Sequence, residues 1–179
     1  MNKKAIAILL VFALALIAIV PSVTAQDEEK VFYWISHGQA GDAIWDTAYG
    51  AAVRAGEDLG VEVRTSFHSQ NVASHIEAFQ AAIAAGADGI ATSSPGPDTL
   101  IEVVAQAKEA GIPVVFFNTD DPATARDAYV GGDLMVVGQS WAGYLVDNGL
   151  VESGDFVYMP VEVPDASSQV LETEGIASI

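Results

Sequence analysis

The sequence predicts an α/β fold: a parallel sheet flanked by helices on both faces. Three observations predict it. Short apolar runs begin near residues 31, 61, 89 and 112. Between each pair there is room for one amphipathic helix and two short loops, as right-handed βαβ crossovers require. Glycine closes each helical stretch, at Gly60, Gly86 and Gly111.

The elements follow in order. Val31-Phe32-Tyr33-Trp34-Ile35 is β-branched and aromatic, which suits a buried strand. Ile44 to Leu59 reads as a helix, with Ile44, Ala48, Ala51, Ala52, Ala55 and Leu59 on its core face. Val61 to Arg64 alternates as a second strand and continues through Thr65 and Ser66. Val72 to Ala85 is the next helix, with Ile76, Phe79 and Ile83 as its stripe, and Gly89 to Thr92 is a short third strand. Asp98 to Ala110 reads as helix, and Val114 to Phe117 as a strand apolar on both faces. A brief strand at Tyr129-Val130, a helix from Leu134 to Asn148 and a sixth strand at Val157-Tyr158-Met159 come next, and a further helical pattern begins beyond Ser167. That pattern stops without a cap, so the reading is one lobe over residues 31–132 and the start of a truncated second lobe over 133–179.

Residues 1–25 read as a signal peptide: Lys3 and Lys4, an apolar run from Ala5 to Val20, then Val23-Thr24-Ala25, with cleavage after Ala25. The alternative is an uncleaved anchor, but the run is shorter than the roughly 20 residues of a spanning helix. Residues 26–30 form a charged spacer. Export to the periplasm or outer cell surface is the implied destination. With no cysteine in the chain, neither a disulfide nor a lipoprotein anchor is possible. Removing residues 1–25 takes away two lysines and no acid, moving the formal charge from −17 to −19. So acidic a surface argues against nucleic acid and anionic lipid as partners.

In open parallel sheets ligands bind beyond the carboxyl ends of the strands. There the sequence places Ser36, His37, Gln39, Asp42 and Trp45 after the first strand, Ser93 and Ser94 after the third, Asn118 after the fourth and Asp133 after the fifth. Carboxylates, amides and hydroxyls suit a neutral polyol, whose hydroxyls both donate and accept, and an indole can stack on the less polar face of a sugar ring. Trp45 also suits a core position at the first turn of a helix. Asp42 sits where an N-cap would, accepting backbone N–H bonds. Asn118 reads as a buried amide, while Asp120 and Asp121 read as a solvated turn with Pro122. His68 and His75 read as surface residues, and no zinc spacing exists. No Gly-x-Ser-x-Gly elbow or phosphate-binding loop is present, and Gly38 to Gly41 is only part of a dinucleotide fingerprint with no acid at the end of the second strand. No cofactor or catalytic residue is assigned. Asp42, Trp45, Ser94 and Asn118 are expected to share one hollow.

At these residues the chain resembles the N-terminal half of periplasmic sugar-binding proteins of the ribose/galactose type, which feed ABC transporters. Gly41-Asp42-Ala43-Ile44-Trp45-Asp46 is similar to that family's Asn/Asp-Pro-Phe-Trp-Asp segment. Ala85 to Ile90 and Ala110 to Val115 match its helix-to-strand junctions, Gly131-Gly132-Asp133 its hinge crossing, and Met159 to Pro164 its first second-lobe strand and loop. The chain departs from the pattern at Ala43-Ile44, where a stacking ring is missing, and at Glu172 and Glu174, near the family's sugar-contacting arginine. The resemblance implies a non-enzymatic, monomeric protein that captures a sugar or polyol between two lobes, with Ser94 and Asn118 at contact positions, and presents it to a membrane permease. The alternatives are an extracytoplasmic sensing module for a sugar-like signal and, further off, a Rossmann-like enzyme.

Overall fold

The computed structural model describes residues 29–161 and 165–179. The signal segment lies outside the described residues, as do most of the charged spacer and residues 162–164. The chain runs β1 (Val31–Ser36), α1 (Ala43–Leu59), β2 (Glu62–Phe67), α2 (Val72–Ala84), β3 (Gly89–Thr92), α3 (Ile101–Glu109), β4 (Val114–Phe117), β5 (Ala128–Val130), α4 (Leu134–Asp147) and α5 (Ser167–Ala177). The five strands form one sheet in the order β2-β1-β3-β4-β5, every pair parallel. Because all strands point the same way, the loops that follow them converge at one edge.

The main core lies between the sheet and α2 and α3, where Ile35, Ile90, Val114 and Phe116 meet Phe79, Ala82, Val103, Val104 and Ala107. The opposite face is covered by α1 and by aromatic rings. Trp34 stacks on Phe117 at 5.3 Å and meets Phe67 and Tyr49 edge-on. This side is thinner than the helical spacing suggests, for Ile44 and Leu59, assigned to the core face of the first helix, are 60% and 75% exposed.

Helix α3 begins three residues later than expected. Asp98 has φ 61° and Thr99 folds back onto the Gly96 carbonyl through its hydroxyl (2.7 Å), so the helix cannot start before that turn closes. Val157-Tyr158-Met159 is not a strand. No strand among the described residues lies beside it to supply a ladder, and a lone strand has nothing to satisfy its backbone. Instead α4 packs on α5 with backbone against backbone. A Cβ at Gly138 would collide with the Glu172 carbonyl, and one at Gly175 with that of Met135.

His75 is fully buried rather than on the surface. The Thr92 hydroxyl donates to the Ile35 carbonyl (3.0 Å), so it accepts from His75 Nε2–H at 2.8 Å. Nδ1 is then a buried lone pair without a partner. Burial, and the neighbouring His68 and His37, lower its pKa to about 3. His68 is likewise half-buried, held between the Ser66 and Ser74 hydroxyls at 2.9 and 3.0 Å.

Two expectations follow. Phe79→Ala removes a fully buried ring and should destabilise the fold by about 3–5 kcal/mol in urea denaturation. Because His75 titrates lower when folded, the unfolded chain takes up its proton first. Stability should therefore fall as pH drops from about 6.5 toward 4, with a slope of about 1.4 kcal/mol per pH unit from this residue. His75→Gln should flatten that slope in a series of melts at different pH.

Candidate functional site

The C-terminal edge of the sheet is built from the loop after β1 outward. Ser36 is fully buried and its Oγ accepts from the Gly38 N–H (3.0 Å), which fastens the turn. His37 donates its backbone N–H to Ser93 Oγ (3.2 Å), tying this loop to the one after β3. Its ring meets Trp45 edge-on at 4.7 Å. The indole lies so close to Gly38 that no Cβ fits there, and its far side reaches Phe117 at 6.4 Å. Trp45 is half-buried, serving as a wall and not as core.

His37, Gly38, Gln39, Asp42, Trp45, Ser69 and Gln70 enclose a hollow of about 270 Å³. Asp42 holds the N-cap position of α1, yet its side chain makes no capping bond. That corrects the expected capping role and leaves an exposed carboxylate on the rim. Gln39 is exposed beside it. His37 is 5% exposed with Nδ1 unpartnered, and burial outweighs the opposing influence of the Ser93 main chain on the ring, lowering its pKa to about 4. The imidazole is therefore neutral at ordinary pH.

Ser69 and Gln70 were not singled out in the sequence. They arrive through three successive backbone bonds, from His68 N–H to Ser36 O, Ser69 N–H to Gly38 O and Gln70 N–H to His37 O, at 2.8–2.9 Å. Both have positive φ, 46° and 63°. The available signal was Asn71, which caps α2 by accepting from Ser74 N–H (3.0 Å) and so requires a turn just before it.

The other assigned residues sit elsewhere along the edge. Ser93 is buried beneath the His37 loop. Ser94 is buried at the junction with α5: its hydroxyl donates to Gly96 O (2.9 Å), so it accepts from Ser167 Oγ–H, also at 2.9 Å. Asn118 is exposed, contrary to expectation, because its φ of 59° turns the chain away from the sheet; its Oδ1 accepts from the Thr119 hydroxyl (2.8 Å). Asp133 caps α4 by accepting from Val136 N–H (3.2 Å) and lines a different hollow, of about 370 Å³, with Asp120, Tyr129 and Met135. Asp42 and Trp45 thus share a hollow from which Ser94 and Asn118 stand apart, and the expected four-residue convergence is not found.

The Asp120-Asp121 turn is also unlike its expectation. Asp120 is clamped by Arg126 through two bonds of 2.5 and 2.6 Å. Asp121 is 3% exposed, and burial, with smaller help from Asp98 and Asp120, raises its carboxyl pKa. The basic residues Arg54, Arg64, Lys108 and Arg126 each pair with an acid, so none of the four stands free to form an anion pocket. Among the described residues no group of three His, Asp or Glu is placed to hold a metal ion.

Comparison with known proteins fits this architecture. A curated relative, the xylose/arabinose-binding protein XylF of Sulfolobus acidocaldarius, is 29% identical over 125 residues, covering 64% of this chain and 31% of its own. The glucose-galactose binding protein GanP of Geobacillus stearothermophilus superposes with a TM-score of 0.70 at 24% identity, over 84% of this chain and 53% of that one. A carbohydrate transporter of Acidothermus cellulolyticus, solved with myo-inositol, gives 0.69 at 24%, over 84% and 52%. The chain thus spans about half the length of the similar solved proteins and a third of the curated one. The sequence profile of the periplasmic binding protein domain matches residues 32–179, and the chain belongs to that family.

Proposed function

We propose that this chain is part of an exported, non-enzymatic solute-binding protein that captures a sugar or related polyol and delivers it to an ABC-type permease. The observation that carries the reading is the hollow beside Trp45. An indole wall, a free carboxylate at Asp42, an amide at Gln39 and a neutral imidazole at His37 meet at the sheet edge where ligands of parallel sheets bind. An uncharged, hydroxyl-bearing solute matches that inventory: the ring stacks and the hydroxyls pair. An anionic solute meets Asp42 and an acidic surface, and no lysine or arginine lines the hollow to offset them. The names of the relatives, binders of xylose, arabinose, glucose and galactose, support the same class.

Residues 31–132 are the first lobe in this reading and 133–179 begin the second. The packing of α4 on α5, rather than on the sheet, supports that division. Closure around the solute is a population shift driven by contacts to both lobes. The chain is proposed to act as a monomer, outside the cytoplasm, with residues 1–25 removed. A role in sensing rather than transport would rest on the same hollow, and a neighbouring gene for a kinase in place of a permease would favour it.

Titration calorimetry against D-xylose, L-arabinose, D-glucose, D-galactose and myo-inositol should identify a ligand, weakly held by this chain and more tightly by one extended with a complete second lobe. Equal affinities would refute the two-lobe requirement. Trp45→Ala and Asp42→Asn should each weaken binding roughly tenfold or more, as loss of stacking or of a charge-assisted bond implies. Mass spectrometry of the secreted protein should find Gln26 at its N-terminus; a retained Met1 would overturn cleavage.

A further inference from the structure

We infer that Gln70 is a specificity-determining residue, reading a hydroxyl of the bound solute together with His37. This rests on the hollow beside Trp45 being the solute site. Two residues that line that hollow, Gln70 and His37, each carry a buried polar atom, Oε1 and Nδ1, with no hydrogen-bond partner. A buried acceptor left unpaired is costly, and such cost persists where a ligand relieves it. Gln70 Oε1 only accepts, so it calls for a donor. His37 Nδ1 donates or accepts according to tautomer. A hydroxyl, which does both, has the chemistry to pair with either atom, whereas an ether or a carboxylate offers Oε1 nothing.

The backbone supports a functional reason for this placement. Ser69 and Gln70 are consecutive non-glycine residues in the left-handed region, at φ 46° and 63°, held there by the bonds to Gly38 O and His37 O. Glycine would adopt this turn without strain. Glutamine in its place sacrifices backbone comfort to put an amide against the hollow, a pattern typical of binding sites.

The test uses the ¹⁵N-labelled chain titrated to high millimolar D-xylose, L-arabinose, D-glucose, D-galactose and myo-inositol, following the Trp45 indole N–H, the Gln70 side-chain amide and the His37 ring nitrogens by NMR. At least one of these probes should shift all three signals with a common Kd. Gln70→Ala should weaken that Kd roughly tenfold, the loss of about one hydrogen bond. Gln70→Gly should weaken it similarly while raising the Tm, which a merely structural glutamine would not do. A probe that moves Trp45 but leaves the Gln70 amide still, or a Gln70→Ala chain with unchanged Kd, overturns the role of Gln70 and leaves the solute site standing. If no probe moves any of the three signals, both readings fall. Should a variant not fold, the amide shift in the unaltered chain decides alone.

Discussion

The indole of Trp45 pressed against the backbone of Gly38 is the contact on which the candidate site depends. With no side chain at residue 38, the ring sits directly on the turn after β1 and becomes the wall of a hollow. It also closes over the edge of His37 and reaches Phe117 at the end of β4, so one side chain from α1 joins the ends of two strands. Its position follows from sheet order. β1 lies between β2 and β3, so the loops after all three strands bond to one another through Ser36, His37, Gly38 and Ser93.

Polar groups are buried at two levels beneath this edge, and each level has its own bookkeeping of protons. The deeper one, His75 to Thr92 to the Ile35 carbonyl, uses a hydroxyl as both acceptor and donor and fixes the tautomer of the histidine. The shallower one leaves His37 Nδ1 and Gln70 Oε1 without partners. The deeper network makes β1, β3 and α2 one unit, which gives the loops a rigid base. The unsatisfied atoms belong to loop residues that line the hollow. Burial keeps both imidazoles neutral, so the site carries the negative charge of Asp42 without a compensating cation.

The crossing of α4 and α5 is governed by a different constraint. Gly138 and Gly175 allow the two backbones to touch, and the Ser94–Ser167 hydrogen bond anchors the start of α5 to the loop after β3. The aromatic and aliphatic side chains from Trp141 to Tyr158 remain largely exposed, with Phe156 and Tyr158 at 103% and 88%. Val157-Tyr158-Met159 reads as strand in the sequence, but a ladder needs a neighbour. The chain belongs to the periplasmic binding protein family and spans about half the length of the solved proteins it resembles.

Much of this was legible in the amino-acid sequence because it rests on local rules. Period-2 and period-3.6 patterning located all five strands of the sheet and the helices, and the parallel crossover rule placed His37, Gln39, Asp42 and Trp45 at one edge. What local rules cannot see is which neighbour satisfies a polar group. His75 looks like a surface histidine until Thr92 is brought beside it from 17 residues away, and Asp121 looks solvated until the turn folds under the loop carrying Asp98. Asn118 looks buried until a positive φ turns it outward, and Gln70 is silent until strand pairing carries the β2 loop against His37. The sequence by itself determined the order of the sheet's strands and their helices and the edge at which the loops after the strands gather, since these follow from periodicity and chain direction. Only the tertiary structure decided which side chains share a hollow and which polar atoms lack a partner, because both depend on contacts between residues distant along the chain.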